Sequence, residues 1–394
     1  MEQNSSISNL VRKEFIRLHG ANEKILMVRS PGRINLIGEH TDYNDGFVLP
    51  SAIDRAVYFA VAPAAGSESS ITSLDFGESH RFDSRNPVKS DKPWANYLIG
   101  IVEVLTKAGH RVNGFNCVYA GDIPIGSGLS SSAAVEAGLA FALNKTLDLG
   151  IERVELARLA QKSENEFVGV RCGIMDQFAN LLSRQESVLL LDCRSLEYEY
   201  IPFAREDLRF VLCDTGVKHS LAASEYNVRR SECEAGVAAI RNHGANVKSL
   251  REVTREELEL CRDEMDSVVY KRCSYVLEEN ARVKGARNCL LQDDYSGLGT
   301  LMYASHEGLK SKYEVTCPEL DLLVDATAQI DGVLGARMMG GGFGGCTLNL
   351  VQTGAVKEFK RAIGETYLRK IGRVPPMYEC RLMPGTNRMN NHEE

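Results

Sequence analysis

Long apolar segments are missing from the sequence. No stretch approaches the run of about 20 apolar residues that a membrane helix needs, and the start, MEQNSSISNLVRKEF, has no apolar core of the signal-peptide type. The sequence has no basic stretch either, and its formal net charge is −7, which disfavours a surface for nucleic acids or acidic membranes. We therefore expect a cytoplasmic protein with neither a membrane nor a nucleic acid as partner.

Paired cysteines are missing as well. The eleven cysteines lie singly between Cys117 and Cys380, with no C-x-x-C pair and no Cys/His cluster at zinc spacing. We interpret them as reduced thiols, most of them buried, in a reducing compartment. The sequence also has no internal repeat and no low-complexity tract, so it is typical of a globular protein.

Length and patterning predict two domains of the α+β class. A chain of 394 residues is long for a single core. Helical and strand patterns are mixed without the strict alternation of a doubly wound sheet, and long charged helical patterns predominate in the second half. We place the boundary at residue 205, which gives an N-terminal domain of residues 1–205 and a C-terminal domain of residues 206–394.

The first stretch with chemical potential begins at Ser30 and ends at Tyr43. Its Ser-Pro-Gly start predicts an end to the preceding strand pattern. Two carboxylates and an imidazole in this stretch can exchange hydrogen bonds with several hydroxyls at once, which suits a sugar. A polar hairpin with a surface ion pair would give the same pattern, and for this stretch alone it is the favoured interpretation. The polar side chains concerned are Arg33, Glu39, His40 and Asp42.

A glycine- and serine-rich loop, the serine loop, precedes a helical pattern from about Ser130 to Leu147. Glycines let the backbone approach a ligand, and serines that cap the helix stand at its positive end, an anion site. A hydroxyl there can also ligate magnesium that bridges two phosphates. We favour phosphate binding over a plain helix cap. The residues concerned are Gly126, Ser127, Gly128, Leu129, Ser130, Ser131 and Ser132.

A late glycine loop, residues 340–345, formally contains G-x-G-x-x-G. It follows a helical pattern and precedes a strand pattern, the reverse of the order in dinucleotide-binding folds. Five glycines in six positions indicate either tight backbone packing between domains or direct contact with a ligand. Both interpretations stay open at this point.

Acidic residues lie between these loops. Glu164 and Glu166 fall on one helical pattern, and Asp176 falls in the first turn of the next. For Glu166 the prediction is a solvated helix face. Asp176 would equally be explained as a helix-start carboxylate that the helix dipole favours.

Taken in this order, the three stretches resemble the GHMP kinase superfamily, with its Pro-Gly-Arg, Pro-x-Gly-x-Gly-Leu-Ser-Ser-Ser and late glycine motifs. The run Gly-Arg-Ile-Asn-Leu-Ile-Gly-Glu-His-Thr-Asp-Tyr-Asn is similar to the signature of the galactokinase family, as are residues 172–177 and 224–227. The resemblance extends from about residue 30 to 350. It implies two α+β domains, with mixed or antiparallel sheets flanked by helices and an active site in the cleft between the domains.

The resemblance implies an enzyme that uses ATP and Mg²⁺ to phosphorylate α-D-galactose at its anomeric hydroxyl. Galactose 1-phosphate would be the product, in the first committed step of galactose metabolism, the Leloir pathway. Galactose and ATP would be the partners, and a monomer is expected. Ser127 and Ala134 depart slightly from the family pattern, and neither change removes a phosphate ligand.

A role for each matching residue is implied in the same way. Arg33 would stabilise charge on the transferred phosphoryl group, and Asp176 would be the catalytic base. Ser132 and Glu164 would ligate magnesium. The sugar contacts would come from Glu39, His40, Thr41, Asp42, Gly173 and Tyr226. The nucleotide contacts would come from residues 126–132, with Ser73 and Trp94 nearby.

Three other functions stay open from the sequence. A kinase for N-acetylgalactosamine would differ in the space around the sugar 2-position, which the motifs leave undefined, although the long first motif favours galactose. A ligand sensor of the same family would have a shortened serine loop, whereas Ser132-Ala133, Arg33 and Asp176 are all in place here. A nucleotide-binding scaffold without chemistry would leave the sugar-facing acids unexplained.

Overall fold

The strands form three sheets in the residues that the structure describes, which are 2–21, 23–124, 126–217 and 222–389. The structure is a computed structural model. The strands are β1 (Leu26–Asn35), β2 (Phe47–Val48), β3 (Pro50–Pro63), β4 (Glu68–Ser73), β5 (Glu78–Asp83), β6 (Phe115–Gly121), β7 (Ser187–Asp192), β8 (Tyr198–Pro202), β9 (Leu208–Asp214), β10 (Val333–Met338), β11 (Cys346–Gln352), β12 (Met377–Cys380) and β13 (Asn387–Arg388).

The helices surround these sheets. They are α1 (Glu2–His19), α2 (Pro93–Lys107), α3 (Ser131–Thr146), α4 (Arg153–Lys162), α5 (Met175–Leu182), α6 (Ala222–Asn242), α7 (Arg255–Leu260), α8 (Ser267–Leu291), α9 (Tyr295–Gly308), α10 (Pro318–Thr327) and α11 (Val356–Ile371). In the described part of the chain, no helix combines the length and the apolar character needed to cross a bilayer. The predicted α+β class is confirmed.

A six-stranded sheet in the order β13-β1-β3-β6-β4-β5 forms the N-terminal lobe together with α1–α5. Its neighbours run antiparallel except for the parallel pair β4 and β6, so the sheet is mixed. Helix α1 covers one face, where Val11 and Phe15 pack against Tyr58. The other face carries a larger apolar core shared with α2–α5. Two layers of helix therefore enclose the sheet that carries the first motif.

Strand β1 runs through the Ser-Pro-Gly segment that the sequence predicts to end it, so that prediction is wrong. Its pairing with β3 shifts register between Pro31 and Arg33, which marks a β-bulge. Proline has no N–H for the ladder, and a bulge is where a strand tolerates this loss. Just beyond the bulge, the backbone N–H of Arg33 donates to the carbonyl of Leu129 at 3.2 Å. The irregular strand thus meets the serine loop directly.

Helix α3 is fixed tightly behind the serine loop. It is apolar on nearly all sides and largely buried, as expected for a helix between a sheet and other helices. A side chain at Gly138 would lie 2.4 Å from the ring of Phe59 on β3, so only glycine permits this close approach. The close packing fixes the position of the helix N-terminus, where Ser131 and Ser132 lie.

A four-stranded antiparallel sheet in the order β10-β11-β9-β12 forms the C-terminal lobe with α6–α11. The small sheet β2-β7-β8 lies beside the first sheet and contacts α8. The predicted boundary at residue 205 falls between β8 and β9, and it stays a prediction. Near the other end of the chain, β13 returns to the N-terminal lobe and pairs with β1 at Val28 and Arg29. The chain therefore passes between the lobes twice.

Candidate active site

A cavity of about 280 Å³ lies where the motifs of both lobes meet. The first motif, the serine loop and the acids contribute to its lining from the N-terminal lobe. Tyr226 on α6 and the late glycine loop contribute from the C-terminal lobe. The lining residues are Arg33, Glu39, His40, Asp42, Pro124, Gly126, Ser127, Gly128, Leu129, Ser130, Ser131, Ser132, Glu164, Val170, Cys172, Gly173, Met175, Asp176, Tyr226, Gly340 and Gly341.

Arg33 and Asp176 form a two-pronged ion pair at the cavity. The Nε of Arg33 donates to Oδ1 of Asp176 at 2.7 Å, and its Nη2 donates to Oδ2 at 2.9 Å. The third nitrogen, Nη1, donates to the carbonyl of Gly128 in the serine loop at 2.6 Å. A paired fork of this kind fixes both side chains, because the planar guanidinium matches the carboxylate. Asp176 remains 29% exposed and can meet a ligand.

The hydroxyl of Ser130 does not cap α3, so the capping prediction is wrong for this residue. Ser130 is the N-cap position, but its φ is 58° and its side chain makes no capping hydrogen bond. The hydroxyl donates instead to Oδ2 of Asp176. The first N–H groups of α3 are therefore left without a side-chain acceptor from Ser130, at the end of the helix that favours anions.

The late glycine loop packs against the serine loop, as one of the two interpretations predicts, and contact with a ligand stays a prediction. Its backbone packs against the serine loop, since a side chain on Gly340 would lie 3.1 Å from the carbonyl of Gly128. Both glycines have φ near +80°, a conformation that favours glycine. Gly340 and Gly341 also line the cavity. The two loops therefore brace each other across the cleft between the lobes.

Glu39 is held from both lobes. It is 1% exposed, and its Oε2 accepts from the side-chain amide of Asn35 at 2.8 Å. The backbone N–H of Gly340 donates to Oε1 at 3.1 Å. The fully buried Arg337 of β10 forms an ion pair with Oε2 and donates to the carbonyl of Leu36 at 3.3 Å. A carboxylate offers about four acceptor positions, so Glu39 keeps some capacity for a sugar hydroxyl.

His40 is a neutral imidazole in this site. Burial and then the positive charge of Arg229 lower its pKa to about 3. Its backbone has φ 63°, which is uncommon outside glycine. Three tyrosine rings surround it: Tyr43, Tyr226 and Tyr313 lie with centroids 5.8, 5.2 and 4.8 Å from that of the imidazole. The imidazole is thus locked in place at the wall of the cavity.

Asp42 lines the cavity and is 9% exposed. Burial and then the negative charge of Asp176 raise its pKa to about 7, against 3.8 for an ordinary aspartate. Between about pH 4 and about pH 7 the folded protein therefore keeps a proton that the unfolded chain has lost. The free energy of unfolding must fall as the pH rises through this window.

We expect this slope to reach at most about 1.4 kcal/mol per pH unit for Asp42 alone. The measurement is urea unfolding of the original protein and of Asp42→Asn at several pH values in this window. The difference between their slopes is the contribution of Asp42, because asparagine does not titrate. In the variant, the free energy of unfolding should fall less steeply as the pH rises towards neutral. Identical slopes for the two proteins would contradict the raised pKa.

Gly173 lies directly against Asp42. A side chain here would place its Cβ 2.0 Å from Oδ2 of Asp42, so any larger residue must displace that carboxylate. With Asp42 as the sugar ligand that the family resemblance implies, we expect Gly173→Ala to raise KM for galactose by roughly threefold to tenfold, the cost of one hydrogen bond, with a smaller effect on kcat. Steady-state kinetics measure both. Gly354→Ala is the matched control, because a Cβ there would have no atom within 4 Å among the described residues other than its chain neighbours. An unchanged KM for Gly173→Ala would contradict Asp42 as a sugar ligand.

Two buried acids lie behind the serine loop. The amide Nε2 of Gln177 donates to Oε2 of Glu164 at 2.7 Å. Burial and the charge of Asp176 raise the pKa of Glu164, and burial and the charge of Glu164 raise that of Glu136. A cation beside these acids would offset an unfavourable concentration of negative charge. The carboxylate of Glu164 and the hydroxyl of Ser132 are oxygen donors of the kind that Mg²⁺ takes.

The number of protein donors also fits magnesium. In the described ranges, no group of three or more histidine, cysteine, aspartate or glutamate side chains forms a closed metal cage. Magnesium at phosphate-transfer sites usually has one or two protein ligands, with waters and phosphate oxygens completing its shell. Ser132 and Glu164 would supply such a partial set, so the residues present fit the ion.

Comparison with known proteins agrees with this geometry. The galactokinase galactose-binding signature matches residues 13–63, and the N-terminal and C-terminal domains of GHMP kinases match residues 96–184 and 286–369. A galactokinase of Roseiflexus sp. (strain RS-1) is 39% identical over 96% of this chain and 96% of its own. The chain belongs to the galactokinase family.

Other relatives support the same membership. The galactokinases of Thermotoga maritima and Clostridium beijerinckii are 41% and 38% identical, over 88% and 97% of this chain and 95% and 99% of their own. The crystal structure of Lactococcus lactis galactokinase complexed with galactose superposes with a TM-score of 0.93, at 35% identity, over 98% of this chain and all of that one. The Methanococcus jannaschii mevalonate kinase, at 20% identity and TM-score 0.61 over 92% of this chain and all of its own, shares the fold.

Some residues predicted for this galactokinase-family site lie outside the cavity lining. The Thr41 hydroxyl lies within hydrogen-bond distance of the carbonyls of Gly38 (2.8 Å) and Phe47 (2.6 Å), and so supports the loop of the first motif. Trp94 donates from Nε1 to Glu78 at 3.1 Å. Ser73 is fully buried at the end of β4. The nucleotide contacts of Trp94 and Ser73 stay predictions. Glu166 is 56% exposed, as predicted for a solvated helix face.

Sequence analysis missed several residues of the site. Glu136 follows Ser132 by four residues on α3, so it lies on the same helix face. An acid among alanines and leucines at this spacing was an available signal. Arg337 was another, as a charge inside the apolar strand before the glycine loop. Nothing local to Tyr313 signals its place beside His40, because only the fold brings them together.

Proposed function

We propose that this protein transfers the γ-phosphoryl group of ATP to the anomeric hydroxyl of α-D-galactose, forming galactose 1-phosphate and ADP. The observation that carries the proposal is the forked pair of Arg33 and Asp176, placed between the serine loop and the sugar-facing side chains. Membership of the galactokinase family supports it. A monomeric state and a place in the cytoplasm stay predictions.

The sugar would bind on the first-motif side of the cavity. Glu39, Asp42 and the imidazole of His40 line this side, with the Gly173 backbone beside Asp42 and Tyr226 beside His40. Several hydrogen-bonding groups around one small cavity suit a ligand that carries a hydroxyl on nearly every carbon. The similar Lactococcus lactis galactokinase was crystallised as a complex with galactose, which supports this choice of sugar.

The nucleotide phosphates would bind at the serine loop. Residues 126–132 line the other side of the cavity, and the N-terminus of α3 lies at its end. Backbone N–H groups at a helix N-terminus, together with flexible glycines, form a phosphate site. Ser132 and Glu164 would hold Mg²⁺, which when bound supplies positive charge to the phosphate oxygens.

Asp176 is arranged to orient the sugar hydroxyl and to accept its proton. Both of its oxygens already accept hydrogen bonds from Arg33, and Oδ2 accepts a further one from Ser130. Proton transfer to this carboxylate would come late, when the bond from the anomeric oxygen to phosphorus is forming. The bond from that phosphorus to the ADP oxygen breaks in the same step. Arg33 would stabilise the negative charge on the transferred group.

An ADP-release assay with magnesium-ATP tests this function. The panel is galactose, N-acetylgalactosamine, glucose and mevalonate, and phosphorus NMR of the product identifies the phosphorylated position. Turnover with galactose at the anomeric position is the expected result. Galactose binding without ADP release would overturn the proposal and favour a ligand sensor, and turnover with N-acetylgalactosamine in place of galactose would change the substrate.

A further inference from the structure

A chain of hydrogen bonds runs from the cavity into the C-terminal lobe behind His40. The Nδ1 of His40 lies 2.8 Å from the hydroxyl of Tyr43. That hydroxyl lies 2.7 Å from the hydroxyl of Tyr313, and the Sγ of Cys233 lies 3.2 Å from the Tyr313 hydroxyl. His40, Tyr313 and Cys233 are at most 3% exposed. This chain of hydrogen bonds is therefore shielded from bulk water along most of its length.

The other ring nitrogen of His40 is the one left for a ligand. The imidazole lines the cavity, and its Nε2 is buried without a hydrogen bond of ordinary geometry in the described residues. The backbone of Gly341 is near enough to favour a proton on the ring. A neutral imidazole carries one N–H only. With this hydrogen on Nδ1, the Nε2 of His40 accepts a hydrogen bond from the cavity. With the hydrogen on Nε2, His40 donates one to the cavity.

The direction in which the hydrogens point along the hydrogen-bond chain decides which ring nitrogen of His40 carries the hydrogen. If the thiol of Cys233 donates to Tyr313, Tyr313 to Tyr43 and Tyr43 to Nδ1, every hydrogen reaches an oxygen or an imidazole nitrogen. In the opposite direction the last hydroxyl would donate to sulfur, which is a weak acceptor. A phenol is also the better donor of the pair towards imidazole, since it is the more acidic. Successive bonds that point the same way strengthen one another.

We propose that Tyr43 and Tyr313 are positioning residues that hold His40 in the tautomer with hydrogen on Nε2, so that His40 donates a hydrogen bond to an oxygen of the bound sugar. The inference rests on the proposed function for its ligand, while the tautomer itself is a property of the sugar-free protein. The two tyrosines act through His40 and do not touch the reacting atoms.

Two acids of the surrounding site act as hydrogen-bond acceptors only. Glu39 and Asp176 are carboxylates in ion pairs with Arg337 and Arg33, and an ionised carboxylate only accepts hydrogen bonds. The ring oxygen of a sugar, and any hydroxyl that already donates to a carboxylate, need a donor instead. His40 with hydrogen on Nε2 would supply one. Galactose would then be recognised by acceptors and a donor in fixed places.

Nitrogen NMR of histidine-labelled protein tests the tautomer directly. His40→Gln identifies the signal among the eight histidines, and the two ring nitrogens of a neutral imidazole have well-separated shifts. Hydrogen on Nε2 is expected in the original protein. Tyr43→Phe should shift His40 towards the other tautomer or a mixture, and Tyr313→Phe should do so less. Hydrogen on Nδ1 in the original protein, or an unchanged spectrum in Tyr43→Phe, overturns the proposal.

Galactose affinity gives a second readout. Calorimetric titration should show binding weakened roughly fivefold to tenfold in Tyr43→Phe, the usual effect of one hydrogen bond, with kcat within about twofold of the original. Tyr367→Phe is the matched control. This buried tyrosine donates to the carbonyl of Thr215 and is not part of the hydrogen-bond chain behind His40. Equal affinities for Tyr43→Phe and the control overturn the proposal. Failure of the original protein to phosphorylate galactose would instead refute the proposed function, whatever the tautomer.

Discussion

Replacing Asp176 by asparagine is expected to lower kcat by roughly 10²- to 10⁴-fold, the usual contribution of a positioned proton acceptor. Asparagine keeps the shape of the side chain but offers Arg33 one acceptor oxygen in place of the two that it now contacts. It also cannot take a proton from the sugar hydroxyl. Galactose affinity should change only a few-fold, because the sugar contacts proposed for Glu39, Asp42 and His40 remain.

The measurement pairs steady-state kinetics with calorimetric galactose binding. Glu166→Gln is the matched control, since this acid lies two residues from Glu164 but is 56% exposed. Its activity should equal that of the original protein. Turnover near the original rate in Asp176→Asn, with galactose still bound, would show that Asp176 is not the proton acceptor. If Asp176→Asn lost both galactose binding and turnover, the main role of Asp176 would be to bind the sugar.

Replacing Arg337 by methionine is expected to destabilise the protein by roughly 3–5 kcal/mol, the usual cost of removing one partner of a buried ion pair. Arg337 is fully buried, and its partner Glu39 is 1% exposed. Burial raises the pKa of Glu39 even beside this arginine. Without Arg337, the carboxylate of Glu39 must either stay charged in an apolar setting or take up a proton.

Urea unfolding of three variants tests this expectation. Arg361→Met is the matched control, because Arg361 is 57% exposed and pairs with two exposed glutamates, so its loss should cost less than about 1 kcal/mol. The double variant Arg337→Met with Glu39→Gln should recover part of the loss, because the unpaired charge is gone. Equal stability of Arg337→Met and the control would mean that the pair contributes nothing.

The sequence was sufficient for the parts of the site that form within one motif. The serine loop, the start of α5 at Asp176 and the first motif were all recognisable from local spacing, and the family resemblance predicted that Arg33 and Asp176 act together. Residues whose partners are far away in sequence were not recognisable. Arg337 lies 302 residues from its acceptor Asn35, and no local pattern specifies such a pair.

Local rules also gave wrong predictions where the site overrides them. Proline and glycine after Ser30 predict an end to the strand, yet β1 absorbs them in a bulge beside the serine loop. A serine before a helix predicts a cap, yet the Ser130 hydroxyl bonds to Asp176. In both places the favoured local geometry gives way to a contact with the site. Such departures are expected where function and folding make different demands.

The return of β13 to the first sheet affects how this chain folds as it leaves the ribosome. Thr386, just before β13, is fully buried and donates to Asn180 of α5 at 2.6 Å, and its hydroxyl lies 3.0 Å from that of Ser30 on β1. Domains are commonly completed in the order of synthesis. Here the first lobe lacks β13 until the whole C-terminal lobe has been translated, so a cotranslational intermediate would have an open edge on β1.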